Sequence, residues 1–507
     1  MDNWFIAIVT VCLAMLKPFV HLFFTAQLKA KKKLPPGPPS IPLIGLLRWA
    51  GKSAQEIQAI LRSLLVKYGP IITIPIGSNP VIMVSSHSLA HQALIQKGAV
   101  FANRPEAPLT IKLCTSNQHN VSSAFYGPTW RSLRRNIATF LHPSRLSLYS
   151  HVRRRSLHML IDRLRAESGA QDGVVKVIDH FQHALFSLLA WMCFGSDFDE
   201  HQIYQLEEVL YKFMSSNHKF QILDFCPPLT KIFLYRRWKE FFSLSKDAGS
   251  ALISIIRSQK QEQDKGSFHS GDCPPYLDTI LELELDKDGY KRKLTEKESA
   301  GLCSEFLAAG GDTTTTALQW IMANIVKYPA IQEKLIQEIN SVVGAEEVKE
   351  EDLSKMPYLR GVVLEGLRLH PPVHFGLPHA VVDEAELGGY KVPRNATITF
   401  NVVEMGRDPA VWKEPMKFKP ERFLAEEAID ITGTREITMM PFGAGRRLCP
   451  GYGLAIMHLE YFVANLVQKF EWKPVKADEV DLAEQHGFTV MMKHPLQAHI
   501  SPRLIKS

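Results

Sequence analysis

Phe442-Gly443-Ala444-Gly445-Arg446-Arg447-Leu448-Cys449-Pro450-Gly451 runs directly into an apolar helical pattern from Leu454, and the reading of this stretch decides the fold. A lone cysteine in a glycine-rich turn is ordinarily a small buried hydrophobe. Here its neighbours have chemical uses. Haem iron takes a cysteine thiolate that favours O–O cleavage when nearby N–H groups and an apolar shell tune the sulfur. Gly445 and Gly451 would let backbone come close, Phe442 would shield the sulfur, and Arg447 would neutralise a haem propionate. Gly443-Ala444-Gly445 begins like a dinucleotide fingerprint, but Leu448 stands where the third glycine belongs, so no nicotinamide site follows.

The remaining cysteines narrow the choice. Cys12, Cys114, Cys193, Cys226, Cys273 and Cys303 are scattered, and with Cys449 the total is odd, 7. There is no CxxC pair, so a disulfide framework, a clustered zinc site and C-x-x-C-H haem attachment are all disfavoured. Apolar residues make up 46% and charged residues 22% of the 507, values of a globular chain with a large core. The net charge of +7 suits an anionic membrane or an acidic partner. No nucleic-acid module accompanies it.

Upstream, Thr295 with Glu298 three residues later forms a capping-box pattern that opens the longest helical stretch, ending near Tyr328 before Pro329. Within it lies Ala309-Gly310-Gly311-Asp312-Thr313-Thr314, a poor helix-forming run that predicts a local break in the helix. Leu302, Phe306, Ala309 and Thr313 share one face, and that face could cover a haem. The Thr313 hydroxyl can bond the carbonyl near Ala309 and hold water, with Asp312 replenishing protons.

These motifs resemble the cytochrome P-450 family. Its haem signature F-x-x-G-x-R-x-C-x-G is matched at Phe442, Gly445, Arg447, Cys449 and Gly451, and its A/G-G-x-D/E-T-T/S motif at Ala309, Gly310, Asp312, Thr313 and Thr314. The resemblance covers essentially the whole chain. Leu369-His370-Pro371-Pro372-Val373-His374-Phe375 is similar to plant microsomal members, most like family 89. It implies a mainly α fold with a small β region, haem b (iron protoporphyrin IX), and O2 activation with NADPH-derived electrons. Those electrons would arrive through a separate NADPH-cytochrome P-450 reductase, with cytochrome b5 as a second candidate donor. Asp312 and Thr313 would deliver protons. Relatives that rearrange substrates without O2 commonly lack this threonine, so monooxygenation is favoured over a haem-thiolate isomerase or dehydratase and over a non-catalytic haem carrier or sensor.

The resemblance also assigns supporting residues. Glu365 and Arg368, three apart on a helix, would alone make a surface pair worth well under 1 kcal/mol. In the family they join Arg422 in a buried network. Trp130 and Arg134, one turn apart, would present an indole N–H and a guanidinium to a propionate, with His379 as a further basic partner. The substrate pocket is expected at the loop from Arg104 to Tyr126, Phe306, Ala309, Val373 to Leu377, and Phe488 to Val490, thus including Phe375 and Thr489. His374 and Asn117 would add polar recognition. Most of these are apolar, which implies a hydrophobic small-molecule substrate. Arg131, Arg135 and Arg446 would form a basic face for the reductase.

Three segments are expected: an N-terminal membrane anchor, 1–28; a basic, proline-rich hinge, 29–42; and the haem domain, 43–507. The apolar run from Trp4 to Phe24 is long enough to cross a bilayer, although Lys17, Pro18 and His21 interrupt it. Lys29, Lys31, Lys32 and Lys33 follow it, which places the rest of the chain in the cytosol; the resemblance implies the endoplasmic reticulum as the membrane. A cleaved signal peptide fits less well, since the charge follows the apolar run. Beyond Leu43 no repeat appears. The polar stretch from Gln259 to Pro275 is too short to divide the core, and Ile71 to Ile76 with Val81 to Val84 reads as a hairpin.

Overall fold

The computed structural model describes residues 34–38, 54–75, 80–170, 173–195, 198–224, 226–264, 274–287, 290–424, 429–476 and 480–503. The anchor and most of the hinge lie outside these, as do Cys12 and Cys273. Within the hinge, Pro36 is docked: its carbonyl accepts from Thr73 N at 2.8 Å. Among the described residues no helix is long and apolar enough to cross a membrane.

The elements that place the site are, in chain order, α1 (Ala54–Tyr68), β1 (Ile71–Pro75), β2 (Pro80–Val84), α2 (Pro128–Phe140), β3 (Val174–Lys176) and α3 (Val177–Phe194). They continue with α4 (Glu296–Lys327), α5 (Pro329–Val343), α6 (Pro357–Leu369), β4 (His379–Ala380), β5 (Thr397–Phe400), α7 (Tyr452–Lys469) and β6 (Phe470–Pro474). The chain closes with β7 (Glu484–His486), β8 (Val490–Met492) and β9 (Gln497–Pro502).

α4 is the central helix. Thr295 Oγ1 accepts from Glu298 N at 3.2 Å, and the Glu298 carboxylate accepts from Thr295 N at 2.9 Å, so both orphan donors of the first turn are satisfied. At the other end Pro329 starts α5 at a position where its missing N–H costs nothing. From Thr314 to Val326 every residue of α4 is buried, as a helix threading a core requires. The expected break at Gly310-Gly311 is absent, because the helix runs unbroken through both. Packing explains it: a Cβ on Gly310 would sit 2.9 Å from Leu189 Cδ1 of α3, so glycine here permits close approach of two helices. The largest core cluster draws on α2, α3, α4, α6 and α7.

The β part is small. β1 and β2 pair antiparallel, with Ile71 opposite Val84, as the hairpin reading expects. β5 adds parallel to β2 and β4 antiparallel to β5, giving the order β1-β2-β5-β4. β6, β9 and β3 form a second sheet, and β7-β8 a separate hairpin.

Candidate active site

The turn before α7 is built around Cys449. Its N–H donates to Phe442 O at 2.9 Å, closing the loop that carries the sulfur. Gly443 and Gly445 both take left-handed φ, +69° and +68°. A Cβ on Gly445 would fall 2.1 Å from Leu94 O, so only glycine fits there. Gly451 serves differently from the expectation: a Cβ would meet nothing nearer than Leu141 Cδ1 at 3.9 Å, and its backbone N–H instead bonds the Cys449 sulfur. Burial raises the Cys449 pKa, while that N–H and the Arg134 guanidinium pull it down.

The sulfur opens into a cavity of about 340 Å³. Phe306, Ala309 and Thr313 of α4 line it, with Leu302 a turn before, so the predicted face of the helix is the one presented. Thr313 Oγ1 donates to Ala309 O at 2.7 Å. Asp312 lies outside the lining; its Oδ2 accepts from Thr489 Oγ1 at 2.8 Å, and burial raises its pKa against that bond.

Positive charge gathers on the same cavity. Arg104, Arg134, Arg447 and His379 all line it. Burial, with repulsion from Arg104 and Arg134, pushes Arg447 down to about 9. Burial pushes Arg104 to about 10 despite Glu305, and burial with Arg104 pushes His379 to about 3. Crowded buried cations of this kind call for an anionic partner. A haem b with two propionates fits: Cys449 would hold the iron, and Arg104, Arg134 and Arg447 would face the carboxylates. His379 is a neutral imidazole here rather than a cation, with Nδ1 2.7 Å from Phe101 O. The Trp130 indole N–H is also committed, to Val121 O at 3.2 Å, and its ring carries the Arg447 guanidinium at 4.3 Å. Trp130 therefore orients Arg447 instead of reaching out itself.

Of the expected substrate residues, Phe306, Val373, Leu377 and Phe488 line the cavity, and His374, Phe375 and Thr489 do not. Phe375 packs with Leu61 and Ile74 under α1, Thr489 holds Asp312, and His374 is buried beside Glu484. Asn117 sits outside the lining in a left-handed run, Ser116 to Gln118. Glu305 is a lining residue that the sequence reading passed over. Its carboxylate accepts from Val121 N at 2.9 Å and Ser122 N at 2.7 Å, pinning the 121–122 loop to α4. The spacing that revealed Ala309 and Thr313 also contains it, since 305, 309 and 313 fall one turn apart.

Glu365 and Arg368 are both fully buried. Arg368 donates to the carboxylate through Nε at 2.6 Å and Nη2 at 2.8 Å, and to Gly406 O at 2.6 Å. Arg422 Nε and Lys419 N complete the carboxylate's shell at 3.1 and 2.8 Å.

Residues 35–500 match the protein-family model described as Cytochrome P450. The chain is 48% identical to "Cytochrome P450 89A9" of Arabidopsis thaliana over 93% of its length and 94% of that protein's. It is 32% identical to an isoflavone 2'-hydroxylase of Medicago truncatula, covering 96% of each. It is 31% identical to a flavonoid 3'-monooxygenase of Arabidopsis thaliana over 98% of this chain and 97% of the relative. A solved structure of a zebra fish cytochrome P450 with progesterone superposes with a TM-score of 0.75 at 23% identity, covering 88% of this chain and 99% of that one.

Proposed function

This chain belongs to the cytochrome P450 family, in plant family 89, and is a haem monooxygenase; on that premise we propose that it oxidises a hydrophobic plant metabolite. The electrons come from NADPH through a separate reductase. One observation carries the reading: Cys449, the Ala309–Thr313 turn and an apolar wall of Ile137, Leu189, Phe306, Val373 and Phe488 line one cavity. The hydroxylases and monooxygenase among its relatives support it. Haem bound there supplies the activation of O2.

The chain's own residues then divide the work. The apolar wall excludes water and selects a lipophilic substrate. The Thr313 hydroxyl donates its hydrogen bond to Ala309 O, which leaves its oxygen as an acceptor facing the cavity and able to orient a water. Asp312, its pKa raised by burial and its Oδ2 accepting from Thr489 Oγ1, is held next to Thr313 as the group that exchanges protons with it. In reductase-supported assays, Thr313→Ala is expected to lower product formation on the order of 100-fold while NADPH is still consumed. Product formed without O2 or reductant would overturn the reading.

The reductase is expected at the exposed arginines beside the Cys449 loop. Arg131 and Arg446 flank one Tyr126 ring, at 5.3 and 5.6 Å from its centroid, and Arg135 is exposed one turn along α2 from Arg131. The double variant Arg131→Glu, Arg135→Glu should slow reduction by the reductase about tenfold or more, with steep salt dependence, and spare peroxide-supported turnover. Equal loss of both activities would exclude docking there. The run 1–28 anchors the enzyme in the endoplasmic reticulum membrane, a reading supported by the four lysines that follow it.

A further inference from the structure

We propose that His374, Glu484 and His486 form a binding site for a divalent transition-metal ion of the zinc type, and that the ion joins two loops of the substrate cavity's wall. One ligand atom from each residue falls within 4.8 Å of the other two. His374 Nε2 lies 3.8 Å from Glu484 Oε1, and His486 Nε2 lies 3.8 Å from Glu484 Oε2. These gaps are too long for hydrogen bonds. They are close to the roughly 3.4 Å that separates two ligands held about 2.1 Å from a tetrahedral ion.

A second observation points to a ligand. His374 is only 3% exposed, and its Nε2 is buried with no hydrogen-bond partner. Its Nδ1 is 3.3 Å from Gln58 Nε2. A half-turn of that amide, which exchanges its oxygen and nitrogen, lets Nδ1–H donate to Gln58 Oε1 and frees the Nε2 lone pair for an ion. An imidazole oriented through its far nitrogen is the usual arrangement of a metal-ligating histidine. Glu484 and His486 also border a second cavity, about 370 Å³, which leaves room for a water as the fourth ligand. Arg407 donates to Glu484 Oε1, the oxygen nearer His374, so the ion would share this carboxylate with a cation, which weakens its binding.

The position gives the ion a structural use. His374 is the next residue after Val373, and His486 lies two before Phe488; Val373 and Phe488 both line the substrate cavity. The loops already touch where Val490 N donates to Pro372 O at 2.8 Å. A bound ion would add a second link and stiffen that wall.

Chelator-treated, haem-loaded full chain should bind one zinc ion in equilibrium dialysis, with a zinc-edge absorption spectrum showing two imidazoles and oxygen. His486→Gln and His374→Gln should each weaken binding about tenfold or more. His494→Gln should leave it unchanged, because His494 is exposed, with its Nε2 3.8 Å from Asp481, and is not part of the cluster. Zinc binding that survives both histidine changes, absence of saturable binding, or a sulfur-dominated spectrum would each overturn the site. The spectrum of the unaltered protein decides the matter even if a variant fails to load haem.

Discussion

Cys449→Ser protein, reduced and treated with carbon monoxide, should lack the thiolate-type Soret band, and its turnover should fall below about 0.1% of the parent. A thousandfold loss is about 4 kcal/mol of barrier, and the structure indicates why no neighbour can make it good. The loop is fixed by Cys449 N to Phe442 O, so residue 449 stays in place after substitution. A serine hydroxyl does not ionise in a site where burial raises even the thiol. The Gly451 N–H and Arg134 favour an anion at this atom, and an alcohol leaves both unanswered. The cation cradle of Arg104, Arg134 and Arg447 is untouched, so porphyrin should still load. A serine variant with the parental band and turnover would remove Cys449 from the site.

What the sequence disclosed depended on how local the cause was. The capping box at Thr295 and Glu298 needs only four consecutive residues, and the cavity face of α4 only a helical period; both were legible. The Cys449 turn was legible because its residues stand together within ten positions, although what requires glycine at 445 is the distant Leu94 carbonyl. Gly310-Gly311 misled, since whether two glycines break a helix or admit a neighbour depends on Leu189, far away in sequence. The segment Val373 to Leu377 has no period, so nothing in its order tells that Val373 and Leu377 face the cavity while His374 and Phe375 turn from it. Trp130 and Arg447 were each recognised, but not that one ring would carry the other's guanidinium. Glu305 shares the helical period of Ala309 and Thr313, but its charge sets it apart from an apolar face, and its use, tying down the 121–122 loop, depends on residues far away in sequence.

Glu365→Ala should destabilise the protein by about 3–5 kcal/mol and leave little haem-loaded protein, measured as the urea midpoint and as recovered holoenzyme. The size follows from what remains behind. Glu365 is the only carboxylate that Arg368 bonds among the described residues, and Arg368 is 1% exposed. Removing the acid strands that guanidinium, loosens Arg422, and orphans the Lys419 N–H. A pair of the same i,i+3 spacing supplies the control. Asp162 and Arg165 stand 3.4 Å apart with side chains 74% and 54% exposed, so Asp162→Ala should cost less than about 1 kcal/mol. Sequence spacing treats the two pairs alike; burial separates them. Arg368→Lys tests geometry with charge retained: an ammonium cannot bond both Glu365 oxygens and Gly406 O as the guanidinium fork does, so it too should lower the midpoint. Glu365→Ala no more harmful than Asp162→Ala would show that the network does not hold the haem side of the fold together.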